Sequence, residues 1–328
     1  MKRIDNIFEK IISIDNLRLA DKMARKGKKS NYGVTVHDRN RDSNILLLHE
    51  KLKNGIYKTS QYKTFKIYEP KEREIFCLPY YPDRIVHWAV MLQLESIWMK
   101  VFTTDTYSCI KGRGIHRAAK RLTKALNDIE GTQYCLKLDV KKFYPNVNQD
   151  IMMSIIKQKI KCKKTLALLD EIIHSTETGL PIGNYISQFV ANLYLTYFDH
   201  WLKEAKGVKY YFRYCDDMVI LSINKESLHS LFMDIEKYFA ENLKIQVKNN
   251  YQIFPVNKRG IDFVGYRFYQ DHVMLRKGIK QNMMRKRCIL KKLNITGNEY
   301  KMQMASYMGW AKQDFSSTRN LYKILMAA

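Results

Sequence analysis

The sequence predicts an α+β chain in which a small sheet presents three acidic side chains. Residues 134–138 alternate like a half-buried strand, and that strand ends at Asp139. Two apolar runs, 211–214 and 218–223, flank a pair of aspartates as the arms of a β-hairpin would. The long segments between these strands have the apolar spacing of helices. Strands and helices arranged in this way around acidic groups indicate an α+β fold.

Helices are predicted for most of the remaining chain. Residues 1–60 are expected to be helical with basic loops, and 84–102 to form an amphipathic helix. Further helices are expected at 151–173 and 228–243. A long helix should begin near Asn184, which suits an N-cap because its side-chain oxygen can accept a hydrogen bond from the first turn. The apolar residues along one side of that helix are Ile186, Val190, Leu193, Tyr197 and Trp201.

The three acids are the strongest indication of chemistry. Neighbouring side chains on a flat strand point to opposite faces, so Asp216 and Asp217 can approach one site only if the pair lies at the bend. Carboxylates so close repel each other, which favours hard divalent cations such as Mg²⁺; an acidic surface turn is the alternative. Asp139, 77 residues before Asp216, favours a metal site. Two-metal phosphoryl chemistry uses such acids to hold cations about 4 Å apart.

The composition indicates a polyanionic partner. Among 328 residues, 57 Lys and Arg outnumber 32 Asp and Glu, which gives a formal net charge of +25. Nucleic acid is the first partner to expect, and a membrane surface the second. Without an apolar run of 18 residues or a signal-peptide core, the chain is expected to be cytoplasmic. Cysteines and histidines are scattered, so neither a zinc cluster nor a disulfide framework is predicted.

Several blocks of the sequence, in a fixed order, resemble those of reverse transcriptases. Residues 137–144 (KLDVKKFY) resemble the first catalytic motif of that family, and 213–217 (RYCDD) resemble the second. The further similar blocks are 83–87 (DRIVH, with His87 where the family has Gln), 106–116, the primer-grip turn at 263–266 (FVGY), and 306–310 with 320–321 in the thumb. The resemblance runs from about Phe65 to the C-terminus.

This resemblance implies a right-hand polymerase of fingers, palm and thumb. The palm would be ferredoxin-like, and the fingers and thumb mostly helical. The implied boundaries are an N-terminal basic, mostly helical extension over 1–60, fingers over 61–130, a palm over 131–270 with a finger-side helical insertion at about 149–175, and a thumb over 271–328. No RNase H domain is expected.

The resemblance also implies the residues of a nucleotidyl-transfer site. Asp139 and Asp216 would hold two Mg²⁺ ions, for which Mn²⁺ could substitute, with help from Asp217 and the carbonyl of Val140. In the nucleotide pocket, Lys71 and Arg73 would neutralise the triphosphate, Tyr144 would exclude a ribose 2′-hydroxyl, and Ile182, Gly183 and Gln188 would lie near the base pair. Lys248 is out of register with the family's nucleotide lysine and is assigned no role.

Nucleic-acid contacts are expected mainly in the thumb. Between Arg276 and Lys292 there are eight Lys or Arg and no acid, a run that is otherwise typical of a solvated helix face. In a thumb this face would contact the duplex backbone. The predicted contact residues are Arg113, Gly265, Tyr266, Arg276, Lys277, Lys280, Arg285 and Lys286.

One block narrows the family. Residues 182–188 read IGNYISQ, where intron-encoded and retron enzymes usually carry QGxxxSP, and this variant resembles reverse transcriptases of diversity-generating retroelements. The looser matches between Asn16 and Lys71 agree. That subgroup implies mutagenic retrohoming with errors mainly at template adenines, a template RNA, a DNA or RNA primer, and a small basic pentameric accessory protein. Ile182 cannot make a glutamine's hydrogen bond, worth about 1 kcal/mol, so its presence would loosen base selection.

Three alternatives stay open. The chain could be a group II intron or retron-like reverse transcriptase, although IGNYISQ counts against an intron enzyme. It could also be a defence-related relative that makes untemplated DNA. A catalytically silent RNA-binding scaffold is the third alternative, and the intact acids argue against it because phosphate binding needs cations on the protein.

Overall fold

The fold is seen in a computed structural model, which describes residues 3–28, 30–68, 72–313 and 316–326. The α-helices of these residues are α1 Phe8–Ile12, α2 Ile14–Ala24, α3 Tyr32–Asp38, α4 Arg41–Lys53, α5 Ile85–Met99, α6 Ile115–Leu126, α7 Phe143–Asn146, α8 Gln149–Lys157, α9 Lys163–Ile173, α10 Tyr185–Tyr194, α11 Thr196–His200, α12 Lys225–Tyr238, α13 Lys277–Lys292, α14 Gly297–Ala311 and α15 Ser316–Met326. The strands are β1 Lys63–Ile67, β2 Arg73–Cys77, β3 Tyr134–Asp139, β4 Tyr210–Tyr214, β5 Asp217–Ser222, β6 Gln252–Pro255, β7 Ile261–Phe263, β8 Tyr266–Phe268 and β9 Val273–Leu275.

The chain divides into two compact units, each assembled from three segments. The first unit comprises Met1–Thr103, Lys141–Trp201 and Tyr238–Gln246, and the second comprises Thr104–Val140, Leu202–Lys237 and Val247–Ala328. No helix within the described ranges is long and apolar enough to cross a membrane.

The first unit is built around α5. This helix is apolar on nearly all sides, and α1, α2 and α10 pack against it. Asn16 fastens α2 to it, because its amide donates to the carbonyls of Ile11 (2.8 Å) and Ala89 (3.0 Å). Helices α1 to α4 all lie within residues 1–60, where helices were predicted. Strands β1 and β2 form an antiparallel hairpin that pairs Ile67 with Arg73, and the predicted triphosphate ligand Lys71 lies outside the described residues.

The second unit contains an antiparallel sheet with the strand order β4-β5-β3-β6. In chain order it runs strand, helices, strand, strand, helix, strand, which is the ferredoxin-like arrangement predicted for the palm. One face of this sheet, with Cys135, Phe212 and Val219, joins a core that also contains α6 and the second sheet, β7-β8-β9. Helices α13 to α15 complete this core through Met283, Met304 and other buried residues.

Two predicted helices are interrupted. The segment 151–173 forms α8 and α9 instead of one helix, because residues 159–161 pair with Ile4 in a short β-bridge that leaves the helical path. The long helix expected after Asn184 ends at Tyr194 and resumes as α11. Thr196 donates from its hydroxyl to the carbonyl of Asn192 (3.1 Å), a local hydrogen bond that accompanies helix bends.

Candidate active site

The hairpin β4–β5 places its two aspartates differently. Tyr214 pairs with Asp217, so Cys215 and Asp216 alone form the turn and Asp217 is the first residue of β5. Cys215 has a φ of 59°, in the left-handed region that non-glycine residues rarely adopt. Such a strained turn residue is common at functional sites.

Arg213 fixes this turn from within the second unit. Its side chain is fully buried and donates to the carbonyl of Cys215 (3.0 Å) and to the hydroxyl of Thr106 (3.3 Å). Because this buried guanidinium bonds to both the turn and Thr106, it restricts the turn to one geometry. The sequence contains one indication of this role, because Arg213 lies between aromatic residues of an otherwise apolar strand. No role was predicted for Arg213 from that pattern.

Asp139 and Asp216 face each other. Asp139 ends β3, which is antiparallel to β5, and the N–H of Val140 donates to the carbonyl of Asp216 (3.3 Å). Burial raises the pKa of Asp216 to about 6, and the charge of Asp139 and a hydrogen bond between the two carboxyl groups act in the same direction. Two half-buried carboxylates that repel each other are a hard-oxygen donor set, so this pair fits a divalent cation.

Asp217 has a different partner. It lies opposite Asp139 across the β3–β5 ladder, and it forms an ion pair with Lys137, which precedes Asp139 by two residues on the same face. The ammonium of Lys137 also lies 5.0 Å from the ring centroid of Phe263, and burial lowers the pKa of Lys137 to about 8. Within the described ranges, no three His, Cys, Asp or Glu side chains are grouped closely enough to hold a metal ion.

The main chain beyond Asp139 is held by a short β-bridge. Val140 pairs with Val247, and the N–H of Lys248 donates to the carbonyl of Asp139 (2.8 Å). The backbone of Lys248 thus helps to hold Asp139 in place. No role was predicted for this lysine from the sequence.

In the first unit, the predicted nucleotide-pocket residues Ile182 and Gly183 lie against β2. The N–H of Phe76 donates to the carbonyl of Ile182 (2.8 Å). Gly183 has a φ of 122°, and a Cβ there would lie 2.6 Å from the carbonyl oxygen of Phe76, so only glycine fits. Arg73 is exposed at the first position of β2, and Gln188 is exposed on α10.

Tyr144 lies in α7, near the segment that leads to Ile182. Its carbonyl accepts a hydrogen bond from the N–H of Leu180 (2.8 Å), and its ring meets that of Phe143 edge-on at 5.8 Å. A Cβ at Gly179 would come within 2.4 Å of the same carbonyl oxygen. The structure thus brings Tyr144 and the 179–183 segment together. The predicted N-cap Asn184 donates its amide to the hydroxyl of Tyr62 (3.0 Å) and does not cap α10.

The predicted nucleic-acid residues of the second unit are of two kinds. Tyr266 is fully buried and donates its hydroxyl to the carbonyl of Trp310 (3.1 Å), so its side chain belongs to the core. Gly265 lies in the β7–β8 turn, where a Cβ would lie 2.4 Å from the ring of Trp310. Arg113 is half-buried and donates to the carbonyl of Thr106 (3.1 Å).

The basic residues at the start of the predicted thumb remain more accessible. Lys277, Lys280 and Arg285 are exposed on α13. Arg276 is exposed but paired with Asp262, and Lys286 donates to the side chain of Gln303 (2.9 Å).

Known proteins resemble this chain in sequence and in fold. Residues 63–268 match the reverse transcriptase (RNA-dependent DNA polymerase) family. Protein YkfC of Escherichia coli is 22% identical over 270 residues, covering 68% of this chain and 70% of that protein. The group II intron-encoded protein LtrA of Lactococcus lactis is 24% identical over 169 residues, covering 48% of this chain and 28% of LtrA.

Among solved structures, telomerase of Candida albicans in complex with a fragment of telomeric RNA is similar in fold. The TM-score is 0.50 at 10% sequence identity, and the similarity covers 78% of this chain and 55% of that one. The chain therefore spans only part of LtrA and of the telomerase. Because the family match extends over residues 63–268 and contains all three acids, this chain belongs to the reverse transcriptase family.

Proposed function

We propose that this chain is the RNA-directed DNA polymerase of a diversity-generating retroelement and makes error-prone cDNA from a template RNA. The facing carboxyl groups of Asp139 and Asp216, at a strand end and in the adjacent hairpin turn, carry the polymerase part of the proposal. The sequence IGNYISQ at 182–188 supports the retroelement part.

The reaction would be nucleotidyl transfer. The 3′-hydroxyl oxygen of the primer attacks the α-phosphorus of a deoxynucleoside triphosphate, the bond to the pyrophosphate oxygen breaks, and the hydroxyl proton is released. Asp139 and Asp216 would hold two Mg²⁺ ions, with Mn²⁺ as a substitute, and these cations would activate the hydroxyl and neutralise the leaving group. Asp217 and the Val140 carbonyl would complete the set. Arg213 keeps Asp216 in place by holding the turn.

Other residues would bind the substrates. Arg73 and Lys71 would pair with the triphosphate, and Tyr144 would exclude the 2′-hydroxyl of a ribonucleotide. The exposed cations of α13 would contact the backbone of the template–primer duplex, because phosphates attract them whatever the sequence. We also propose a small basic pentameric accessory protein as partner, with the basic segment 1–30 as a candidate surface for that protein or for RNA.

A group II intron-type reverse transcriptase is the second candidate. The similarity to LtrA favours it. The two candidates differ in fidelity, since the retroelement enzyme would misincorporate opposite adenine.

Primer extension with deep sequencing of the product tests both candidates. The assay contains purified chain with and without the accessory protein, Mg²⁺, and an RNA template that presents every base in several contexts; Asp216→Ala is the control. Templated cDNA with substitutions clustered opposite adenine supports the retroelement enzyme, and accurate cDNA supports the intron type. Product made without template indicates the defence-related relative. Absence of product under all conditions contradicts the polymerase proposal.

A further inference from the structure

A series of charged side chains connects the catalytic hairpin to the start of α13, and all of them belong to the second unit. Lys137 on β3 is paired with Asp217, the first residue of β5. Arg276, which directly precedes α13, is paired with Asp262 on β7. Nucleotidyl transfer as proposed involves neither Lys137 nor Asp262.

Lys137 is close to the Asp262–Arg276 pair as well as to Asp217. Its ammonium group lies 5.0 Å from the ring centroid of Phe263, the residue that follows Asp262 on β7. Burial lowers the pKa of Lys137, the charge of Asp262 counteracts this effect, and the charge of Arg276 adds to it. The pair on β7 is therefore within electrostatic reach of the lysine, and Asp262 is a second acid toward which Lys137 can turn.

Arg276 occupies Asp262 in this structure. Its Nε donates to a carboxyl oxygen of Asp262 (2.9 Å), and its Nη2 donates to the same oxygen. The backbone N–H of Arg276 donates to the carbonyl of Gly265 (3.0 Å), so the start of α13 is held at the β7–β8 turn. The side chain of Arg276 is 47% exposed and that of Asp262 is 42% exposed. An ion pair this exposed is worth about 0–1 kcal/mol, and a guanidinium readily exchanges a carboxylate for a phosphate.

The other ion pair restrains one of the proposed metal ligands. The ammonium of Lys137 neutralises Asp217 and competes with a cation for its oxygens. A lysine can change its partner easily, because its compact ammonium group lies at the end of a flexible stem of four carbons. Transfer of Lys137 to a second acid would release Asp217 without leaving the lysine unpaired.

We propose that Asp262 and Arg276 are positioning residues that control, through Lys137, the access of a divalent cation to Asp217. A phosphate of the primer–template duplex takes Arg276 from Asp262. The freed carboxylate of Asp262 attracts Lys137, and Asp217 then joins the cation site. The cation site is therefore completed when the duplex is in place. The duplex contact of Arg276 rests on the proposed function, whereas the exchange of partners by Lys137 does not.

A Mn²⁺ titration of the full chain by electron paramagnetic resonance, without nucleic acid, tests the exchange. Arg276→Gln frees Asp262 for Lys137, so we expect Mn²⁺ to bind about fivefold more tightly. The matched control is Arg267→Gln, which removes the same charge from an exposed side chain opposite Asp262 on β8. This control should change the affinity less than twofold. Equal Mn²⁺ affinities of the two variants would overturn the proposal.

A double-mutant cycle separates the exchange from a general effect of charge. In Asp262→Asn, Lys137 has no second acid, so adding Arg276→Gln to this variant should change Mn²⁺ affinity less than twofold. A fivefold gain that persists in the Asp262→Asn background would belong to net charge and would overturn the proposal. Circular dichroism and thermal unfolding check that the variants are folded.

The same titration with an RNA–DNA duplex tests the coupling to substrate. The primer ends in a 2′,3′-dideoxynucleotide, because a terminal 3′-hydroxyl would itself bind the cation. A titration of the duplex alone corrects for Mn²⁺ on its phosphates. We expect the duplex to increase the Mn²⁺ affinity of the wild type about fivefold and that of Asp262→Asn less than twofold. Equal increases in both proteins would overturn the proposal.

Fluorescence anisotropy with a labelled duplex keeps this result separate from the proposed function. A duplex that does not bind the wild type would contradict the polymerase proposal, and the titrations without nucleic acid would still decide the exchange. A duplex that binds but leaves the Mn²⁺ affinity of the wild type unchanged would overturn the coupling and leave the polymerase proposal intact.

Discussion

At the residue scale, two adjacent aspartates of one motif have different surroundings. Asp216 faces Asp139 and is the better placed of the two for a cation, whereas Asp217 is paired with Lys137. The lysine compensates a negative charge beside the proposed metal site. The ammonium group of Lys137 also lies over the ring of Phe263.

Replacing Lys137 with methionine tests this compensation. We expect divalent cations to bind about tenfold more tightly, because the site becomes more negative by one charge. Solvent screening limits the gain in affinity, since the Asp217 side chain is 33% exposed. The measurement is a Mn²⁺ titration by electron paramagnetic resonance without nucleotide. Lys137→Arg is the control that keeps the charge. Unchanged or weaker Mn²⁺ binding by the methionine variant would contradict the compensating role.

Ile182 is the residue proposed to loosen base selection. The N–H of Phe76 holds the main chain at Ile182, so a glutamine at this position would keep the same backbone position. Ile182→Gln should lower misincorporation opposite template adenine several-fold, since one hydrogen bond is worth about 1 kcal/mol. Sequencing of primer-extension products measures this, with Ile182→Val as the apolar control. Equal error spectra for the three proteins would rule the idea out.

At the scale of elements, tight backbone contacts position the segments of each unit. The turn before α10 passes so close to β2 that a glycine is required, and α2 is held through a buried acid. Asp21 is fully buried and accepts hydrogen bonds from Tyr80, Arg25 and Arg41. These contacts connect α2 to the start of α4 and to the segment before α5.

Gly183→Ala should lower the free energy of unfolding by about 1–3 kcal/mol, because the new Cβ requires both an unfavourable φ and a shift of Phe76. Gly278→Ala is the matched control, since nothing lies within 4 Å of its Cβ position in α13. That variant should be unchanged or stabilised by up to about 1 kcal/mol. Urea denaturation measures both. Equal effects of the two substitutions would contradict the close approach.

Asp21→Asn should destabilise the chain by about 3 kcal/mol at pH 7, because Arg25 and Arg41 lose a buried partner. Burial alone would raise the pKa of Asp21, but the hydrogen bonds from Tyr80, Arg25 and Arg41 outweigh it and lower the pKa below 3.8. Because the pKa of Asp21 is lower in the folded than in the unfolded state, its carboxylate stabilises the folded state at any pH above the unfolded pKa. This stabilisation is lost as the pH falls through the folded pKa. The difference between wild type and Asp21→Asn should therefore shrink below about pH 3.8. Urea denaturation from pH 7 to 3 would contradict this if the difference stayed constant.

At the scale of the whole molecule, the net charge of +25 is the dominant feature. It implies strong, salt-dependent binding of nucleic acid whatever the sequence of the strand. The exposed cations of α13 are the proposed local source of this binding.

Lys280→Gln with Arg285→Gln on α13 should lower the slope of log affinity against log salt for an RNA–DNA duplex by up to about 1.8, since each lost phosphate contact removes about 0.9. The control is Lys157→Gln with Lys163→Gln, two exposed lysines on α8 and α9, which removes equal charge. Anisotropy titrations at several salt concentrations measure the slope. If both double variants reduced it equally, the effect would belong to net charge and not to α13.

Most of the elements could be predicted, because periodicity and turn chemistry are local. The strand ending at Asp139, the hairpin with its acids and the helices of residues 1–60 are all present. The break after α8 could not be predicted, since it depends on Ile4, which is distant in sequence. The break after α10 was missed although the hydrogen bond from Thr196 to Asn192 is local. The sequence alone thus determined the α+β class, the resemblance to reverse transcriptases and the identity of the three acids.

Only the tertiary structure decided which groups meet. The β3–β5 register brings Lys137 close enough to Asp217 for an ion pair and leaves Asp216 to face Asp139. This register cannot be predicted from neighbouring residues in the sequence. Packing of α2, α5 and α10 likewise brings Lys28, His87 and Trp88 to one cavity. The physical reason is that side-chain contacts between distant segments depend on strand pairing and helix packing, whereas secondary structure follows from neighbouring residues.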